Sequence, residues 1–162
     1  QEISVTPLQL AQAYAAIANG GVLVRPTLVL ETRDRRGRVV TPYRPEPPTR
    51  VLPTHVASSL ATLLEGAVED GTGKAAEVPG YAVAGKTGTA QRASGGSYAS
   101  GRHVAWFVGF LPMPSPSVLI VVCIDEPESS YWAAEVAAPA FGRIAARVVT
   151  LLGVPPTRGE RA

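Results

Sequence analysis

Two strand-like segments joined by a short turn constrain the fold of this chain more than any other feature. Residues 104–110 and 118–124 are apolar and β-prone, and a proline-rich turn at 112–116 separates them. Parallel neighbours need a crossover of about a dozen residues or more, so these two strands must pair antiparallel. Residues 81–86 predict a third strand, and the uninterrupted apolar character of 118–124 predicts a central strand.

Helix signals flank the predicted strands. Thr6 and Gln9 match a capping box, and Pro7 between them occupies the first helical position, so a helix is expected to begin there. Apolar residues at helical spacing predict a second helix from about Thr54 and a third from about Pro139. The predicted fold class is therefore α+β, an antiparallel sheet flanked by helices.

The segment between the first two helices is predicted to be a hairpin followed by irregular chain. Residues 22–43 contain β-prone stretches at 22–24 and 28–30, a polar tip at 34–37 and a further β-prone stretch at 39–40. Residues 42–53 contain five prolines and are expected to be irregular. Four arginines lie near the tip, but an aspartate and a glycine interrupt them, which favours a solvated turn over a phosphate-binding patch.

Composition excludes several classes of function. The chain has 162 residues, 46% of them hydrophobic and 17% charged, which is enough for one domain with a core. The net charge of +2 is too small to indicate a nucleic-acid partner. Cys123 is the single cysteine and is expected to be buried, and with two histidines and no metal-ligand spacing we expect no metal and no cofactor.

The strongest candidate for a functional site is the tetrapeptide Lys86-Thr87-Gly88-Thr89. It is predicted to end the strand at 81–86, before a polar, glycine-rich loop. An ammonium group, two hydroxyl donors and a glycine that lets a ligand approach the backbone together form an anion-binding edge. The turn Gly71-x-Gly73-Lys74 nearby is interpreted as a tight turn rather than as part of a cleft.

A nucleotide-binding P-loop is an alternative interpretation of the same residues. Gly80-x-x-x-x-Gly85-Lys86-Thr87 satisfies the P-loop pattern. The context argues against it, because a P-loop lysine begins a helix next to a parallel strand, whereas this lysine is followed by a glycine-rich polar segment.

The wider context of the motif resembles the C-terminal part of the transpeptidase domain of class B penicillin-binding proteins. The resemblance rests on residues 85–91, on Gly109-Phe110-x-Pro112, on residues 6–11, and on the closing strand and helix. Tyr131-Trp132, residues 136–141 and the tail at 152–156 favour the cell-division (septal) type over the elongation type. Family sheets have five strands, of which this chain would supply three.

Two of the three signatures of that family do not occur in this chain. The residues three positions before its only lysines, Lys74 and Lys86, are Gly71 and Val83, so no Ser-x-x-Lys exists. Its single asparagine, Asn19, has no serine two positions earlier, so no Ser-x-Asn exists. The expectation is that residues 1–162 are the C-terminal segment of a single transpeptidase domain whose N-terminal part carries the nucleophile.

The resemblance implies a function and a set of site residues. The implied reaction is acyl-serine D,D-transpeptidation of peptidoglycan stem peptides ending in D-Ala-D-Ala, which β-lactams mimic. Lys86 and Thr89 would be catalytic, Thr89 through its backbone N–H in the oxyanion hole, where one donor is worth about 2.7–4 kcal/mol. The substrate would contact Thr87, Gly88 and Thr89, with Tyr98 and Tyr131 forming an aromatic wall.

The resemblance also implies partners and a location. The expected partners are the N-terminal remainder of the same domain, stem peptides, β-lactams and other cell-wall and cell-division proteins. The expected location is the outer face of the bacterial cytoplasmic membrane, with anchoring through a helix that this chain does not contain. A serine β-lactamase or carboxypeptidase and a non-enzymatic β-lactam sensor are the remaining alternatives.

Overall fold

The elements of the fold follow one another in an order that places the sheet late in the chain. The computed structural model describes residues 4–94 and 97–158, and for 92–94 and 97–101 it describes the backbone alone. The elements are α1 (Pro7–Ala18), β1 (Val22–Leu23), β2 (Glu31–Arg33), β3 (Val39–Pro42), β4 (Thr49–Arg50), α2 (Thr54–Glu69), a 3-10 turn (Lys74–Ala76), β5 (Ala84–Ser94), β6 (Ser97–Leu111), β7 (Val118–Asp125) and α3 (Ala133–Leu151).

The predicted antiparallel sheet is confirmed. The strands lie in the order β5-β6-β7, and both pairings are antiparallel. β6 is central among these three strands, and β7 is an edge within the described part of the chain. A central position for 118–124 in a five-stranded sheet of the complete domain stays a prediction. Helices cover both faces of the sheet, which accounts for the apolar residues on both faces of β7.

Helices pack on both faces of this sheet. Phe107 and Val122 belong to a core with α3, in which the ring centroids of Phe107 and Phe141 lie 4.7 Å apart. Ala84 and Phe110 belong to the opposite core with α1 and α2. This alternation of side chains along β5 and β6 decides which face each motif residue reaches.

Two of the three helices begin where the sequence predicts. Thr6 caps α1, accepting a hydrogen bond of 3.2 Å from the Gln9 backbone N–H, and the Gln9 side chain accepts one of 2.8 Å from the Thr6 N–H. α2 begins at Thr54. However, its buried residues are Ala57, Ala61 and Val68, and Leu63, one of the apolar residues whose helical spacing predicts this helix, is 71% exposed.

The third helix begins six residues earlier than predicted. It starts at Ala133, and Pro139 lies inside it. Proline removes one hydrogen bond from a helix interior, but the preceding alanines Ala133, Ala137 and Ala138 are fully or nearly fully buried against the sheet. That packing continues the helix past the proline.

The predicted hairpin is shorter than expected. Its strands are β2 and β3, and the Asp34 carboxylate accepts hydrogen bonds from the backbone N–H groups of Arg36 (2.8 Å) and Arg38 (3.0 Å) at the tip. β1 pairs instead with β4, inside the proline-rich segment predicted to be irregular. Pro48 and Pro53 flank this short strand, but Thr49 and Arg50 are not prolines and retain the backbone N–H that strand pairing requires.

Cys123 is exposed, so the prediction of a buried cysteine is wrong. Its neighbour on β7, Val122, is buried, because successive side chains of a strand point to opposite faces. Partial desolvation of the thiol and, second, the negative charge of Asp125 nevertheless raise the pKa of Cys123. None of the helices within residues 4–94 and 97–158 has the length and apolar character of a membrane span.

The chain beyond α3 folds back against the segment that precedes the motif strand. The backbone N–H groups of Thr157 and Arg158 donate to the Gly80 carbonyl at 2.9 and 3.0 Å. The Arg158 guanidinium pairs with Glu65 at 2.9 Å and also with Glu69 of α2. These contacts join the C-terminal segment to α2.

Candidate active site at the edge of the sheet

The Lys86–Thr89 motif lies near the start of a long strand, not at the end of a short one. β5 runs from Ala84 to Ser94, and its pairing with β6 continues beyond the motif through Gln91 opposite His103. The predicted glycine-rich loop is thus part of a hairpin. Backbone hydrogen bonding stabilises this pairing irrespective of side chains, which explains why the composition of the segment gave no strand signal.

β5 forms an edge of the three-stranded sheet, so the side turned away from β6 has no strand partner among the described residues. Along this edge, Thr87 and Thr89 pair with Phe107 and Ala105 and share the α3 face. Lys86 pairs with Val108 and lies on the α1 face. Side chains from both faces thus border the same free edge.

The Lys86 ammonium forms a compact cluster with two hydroxyl groups. Its Nζ donates to Thr72 Oγ1 at 3.1 Å, to Thr87 Oγ1 at 3.0 Å and to the Thr87 carbonyl at 3.4 Å. The two hydroxyl oxygens lie 2.8 Å apart, within hydrogen-bond distance. The cluster presents one positive charge and hydroxyl donors at the strand edge, a combination that suits an anion.

Thr89 is held by a different element. Its hydroxyl accepts a hydrogen bond of 3.2 Å from the backbone N–H of Ala133, the first residue of α3. The positive end of the helix dipole adds to the favourable environment for negative charge near this residue.

A groove of about 410 Å³ opens beside the motif, between β5 and α1. Among the described residues that border it, Lys86 alone is charged. Burial raises the pKa of the Tyr14 phenol, so this part of the wall stays neutral at physiological pH. The lining residues are Ser4, Val5, Leu10, Tyr14, Lys86, Thr87, Gly88, Thr89, Ala90, Trp106 and Val108.

The structure brings four of the predicted site residues together and separates a fifth. Lys86, Thr87, Gly88 and Thr89 all border the groove, whereas Tyr131 does not. Tyr131 lies in the segment before α3, where its ring stacks on His103 at 4.6 Å and contacts Trp132 at 4.7 Å. The backbone of Tyr98 is in β6, not in a loop, and its side chain lies outside the described part of the chain.

Sequence reasoning missed Thr72 and Trp106. The turn that contains Thr72 is confirmed, but Thr72 itself contacts the motif lysine. The sequence signal was the Gly-Thr-Gly pattern, since the two glycines allow the chain to pack closely on α2. Trp106 could have been found by register, because it lies directly opposite Gly88.

The geometry does not fit a phosphate cradle. Lys86 lies within an antiparallel strand and does not begin a helix, as a P-loop lysine does. Within residues 4–94 and 97–158, no three His, Cys, Asp or Glu side chains cluster closely enough to hold a metal ion.

Proteins of known sequence align with nearly the whole of this chain. Stage V sporulation protein D of Bacillus subtilis is 36% identical over 99% of this chain and 25% of its own length. The peptidoglycan D,D-transpeptidase FtsI of Escherichia coli K12 is 32% identical over 98% of this chain and 26% of its own length. The chain therefore spans about a quarter of the length of these relatives.

Solved structures share its fold. Penicillin-binding protein 3 of Mycobacterium tuberculosis, complexed with ampicillin, superposes with a TM-score of 0.86 at 32% identity, covering 100% of this chain and 38% of that one. The transpeptidase domain of penicillin-binding protein 3 from Burkholderia pseudomallei gives 0.77 at 35% identity, covering 96% and 45%. The profile of the penicillin-binding protein transpeptidase domain matches residues 1–146. This chain therefore belongs to the penicillin-binding protein transpeptidase family, and within it to class B.

Proposed function

We propose that residues 1–162 are the C-terminal segment of one peptidoglycan D,D-transpeptidase domain and supply its donor-binding edge. The observation that carries this proposal is the position of Lys86. It is the only charged residue among the described lining of the groove, and it is hydrogen-bonded to two hydroxyl groups at a free strand edge. A peptide that ends in a carboxylate and pairs with the strand edge suits this arrangement.

Each motif residue has a role in this proposal. The Thr87 and Thr89 hydroxyls bind the terminal carboxylate of D-Ala-D-Ala, and Gly88 lets the ligand lie close to the strand. The Thr89 backbone N–H is one oxyanion donor. Lys86 keeps the groove electropositive, and the aromatic stack around Tyr131 borders the approach from the α3 side.

The nucleophile in this proposal is a serine of the N-terminal part of the domain. Its oxygen bonds to the carbonyl carbon of the penultimate D-Ala, the peptide bond breaks, and the terminal D-Ala leaves with the serine proton on its amine. The amine of a second stem peptide then attacks the ester, forms the cross-link and returns a proton to the serine. β-Lactams acylate the same serine and place their carboxylate on Thr87 and Thr89.

The relatives support the cellular context of the proposal. The names of the B. subtilis and E. coli relatives refer to sporulation and to peptidoglycan transpeptidation. We propose a septal role with other cell-division and cell-wall proteins as partners. The domain would act on the outer face of the cytoplasmic membrane, anchored by a helix outside these residues.

Labelling with a fluorescent penicillin tests this proposal. We expect this chain alone to stay unlabelled and the complete protein to be labelled. Lys86→Ala in the complete protein should lower the second-order acylation rate roughly 10- to 100-fold, since hydrogen bonds to charged groups are worth about 1.5–3 kcal/mol. Lys74→Ala is the matched control, because Lys74 is exposed and does not border the groove.

Three results would contradict the proposal. Labelling of the isolated chain would show that the nucleophile lies within it. Equal acylation rates for Lys86→Ala and Lys74→Ala would show that the motif lysine has no role in the site. Complete protein that takes up no penicillin would remove the proposed ligand class.

A further inference from the structure

We infer that Thr72 is a positioning residue, which directs the hydroxyl proton of Thr87 towards the carboxylate of the ligand; this inference rests on the proposed function. Thr72 follows α2 in the turn before the 3-10 segment. It lies 15 residues from Thr87 in sequence, yet its hydroxyl is 2.8 Å from the Thr87 hydroxyl. Nothing in the Lys-Thr-Gly signature includes this residue.

The inference follows from counting donors and acceptors in the cluster. An ammonium has three protons, and the three acceptors of Lys86 are Thr72 Oγ1, Thr87 Oγ1 and the Thr87 carbonyl. A lysine bonded in this way has no proton left over for a ligand. It acts on the ligand through its charge and through the two hydroxyl groups.

Each hydroxyl has one proton and two acceptor sites. Thr87 Oγ1 uses one acceptor site for Lys86. When Thr72 donates across the 2.8 Å contact, the second site is filled as well, and the Thr87 proton can only point away from the cluster. The Thr87 hydroxyl is then purely a donor, which is the state that binds an anion.

Without the Thr72 hydroxyl, Thr87 keeps its bond to Lys86 but gains an open acceptor site. Water or a neighbouring donor can occupy that site, and the proton of Thr87 is free to rotate. The loss affects ligands that carry a negative charge at this position, and it does not affect a neutral ligand in the same way. This difference separates positioning from a general structural role.

The test compares two acylating agents on the complete protein. Benzylpenicillin carries the carboxylate, and its methyl ester lacks the charge. We measure second-order acylation rates for both and take their ratio. Thr72→Val should lower the ratio roughly tenfold, mainly through the rate of the acid, and Thr72→Ser should restore it. Thr150→Val is the control, because its exposed hydroxyl donates to the Ala146 carbonyl of its own helix at 2.9 Å and Thr150 does not border the groove.

The outcomes distinguish this inference from the function on which it rests. An unchanged ratio in Thr72→Val, or an equal loss for acid and ester, overturns the positioning role while the penicillin-binding function stands. Wild-type protein that is not acylated by benzylpenicillin contradicts both. Thr72 is exposed, so its substitution is expected to leave the melting temperature unchanged; Thr72→Ala serves as a second variant of the same design.

Discussion

The hydroxyl of Thr89 accepts a hydrogen bond of 3.2 Å from the backbone N–H of Ala133. This bond joins the motif strand to the first turn of α3, an element 44 residues later in the sequence. A hydroxyl that accepts from a fixed backbone group still has its own proton to donate. The helix therefore positions the Thr89 oxygen without consuming its donor.

The two motif residues should differ in their sensitivity to truncation. Thr89→Ala removes one hydroxyl and leaves the backbone N–H, so we expect a loss of only a few-fold in penicillin acylation. Lys86→Ala removes the charge of the groove and should cost at least tenfold. Thr89→Ser keeps the bond to Ala133 and should behave like wild type. A larger loss in Thr89→Ala than in Lys86→Ala would contradict the assignment of the oxyanion donor to the main chain.

Alanine substitution at two glycines on neighbouring strands should have different effects on the free energy of unfolding. A Cβ at Gly109 would lie 2.8 Å from Phe141 Cζ and 3.0 Å from Phe107 Cε1, and both rings are fully buried. Gly109→Ala should therefore lower the free energy of unfolding by about 1–3 kcal/mol. A Cβ at Gly88 would meet only Trp106 Cβ at 3.8 Å, so stability should change by less than about 0.5 kcal/mol.

Gly88→Ala should lower activity although it leaves stability unchanged. A methyl group at Gly88 projects towards the groove beside Trp106, and Gly88→Ala should lose penicillin acylation with an unchanged melting temperature. Thermal unfolding and labelling of both variants check this. Normal labelling of Gly88→Ala would show that the ligand does not approach the strand at this position.

The ion pairs of Arg158 should stabilise the junction between the C-terminal segment and α2. Partial burial acts to lower the pKa of Arg158, but the hydrogen bonds and negative charges of Glu69 and Glu65 outweigh it and raise the pKa above its ordinary value. Arg158→Met keeps the apolar stem and removes the charge, and we expect a loss of about 1 kcal/mol in denaturant unfolding. The loss should shrink in high salt. Arg143→Met, at an exposed helical position, is the control.

The tip of the β2–β3 hairpin should depend on pH. The hydrogen bond from the Arg38 backbone N–H, aided by the Arg38 side chain and by the Arg36 N–H, holds the pKa of Asp34 below its ordinary value of 3.8. A lowered pKa means that the ionised form stabilises the fold. The contribution is complete above about pH 4 and is lost as the pH falls through the lower, folded-state value.

Amide chemical shifts of Arg36 and Arg38 provide the measurement for the tip. They should titrate together with a midpoint below 3.8, and Asp34→Asn should abolish that titration. A midpoint at or above 3.8 would contradict the hydrogen bonding at the tip. Labelling by penicillin should be unaffected, because the hairpin does not border the groove.

The sequence predicted elements whose signals are local. The capping box of Thr6 and Gln9 and the antiparallel turn between β6 and β7 depend on a few neighbouring residues, and both are confirmed. The start of α3 and the length of β5 depend on tertiary packing, and the sequence missed both. Pro139 marked a false helix start because the burial of three alanines outweighs one lost hydrogen bond.

The candidate site likewise combines a local feature that the sequence predicted with contacts that depend on tertiary packing. The Lys86–Thr89 tetrapeptide is contiguous, so its pattern could be recognised directly. Thr72 is brought to the motif by the end of α2, and Trp106 by strand register. The Gly-Thr-Gly pattern marks a tight turn and the strand register places Trp106, but neither signal by itself shows that the residue lies at the motif.

The pairing between β5 and β6 becomes irregular between Gln91 and Ala93, beyond the motif. A one-residue slip in a strand normally exchanges its two faces. An irregularity at this point can absorb such a slip before it reaches Thr89. The register beyond Gln91 is therefore decoupled from the register at the motif, and the hydroxyls that would hold a drug or a peptide keep the orientation set by the regular pairing from Ala84 to Gln91.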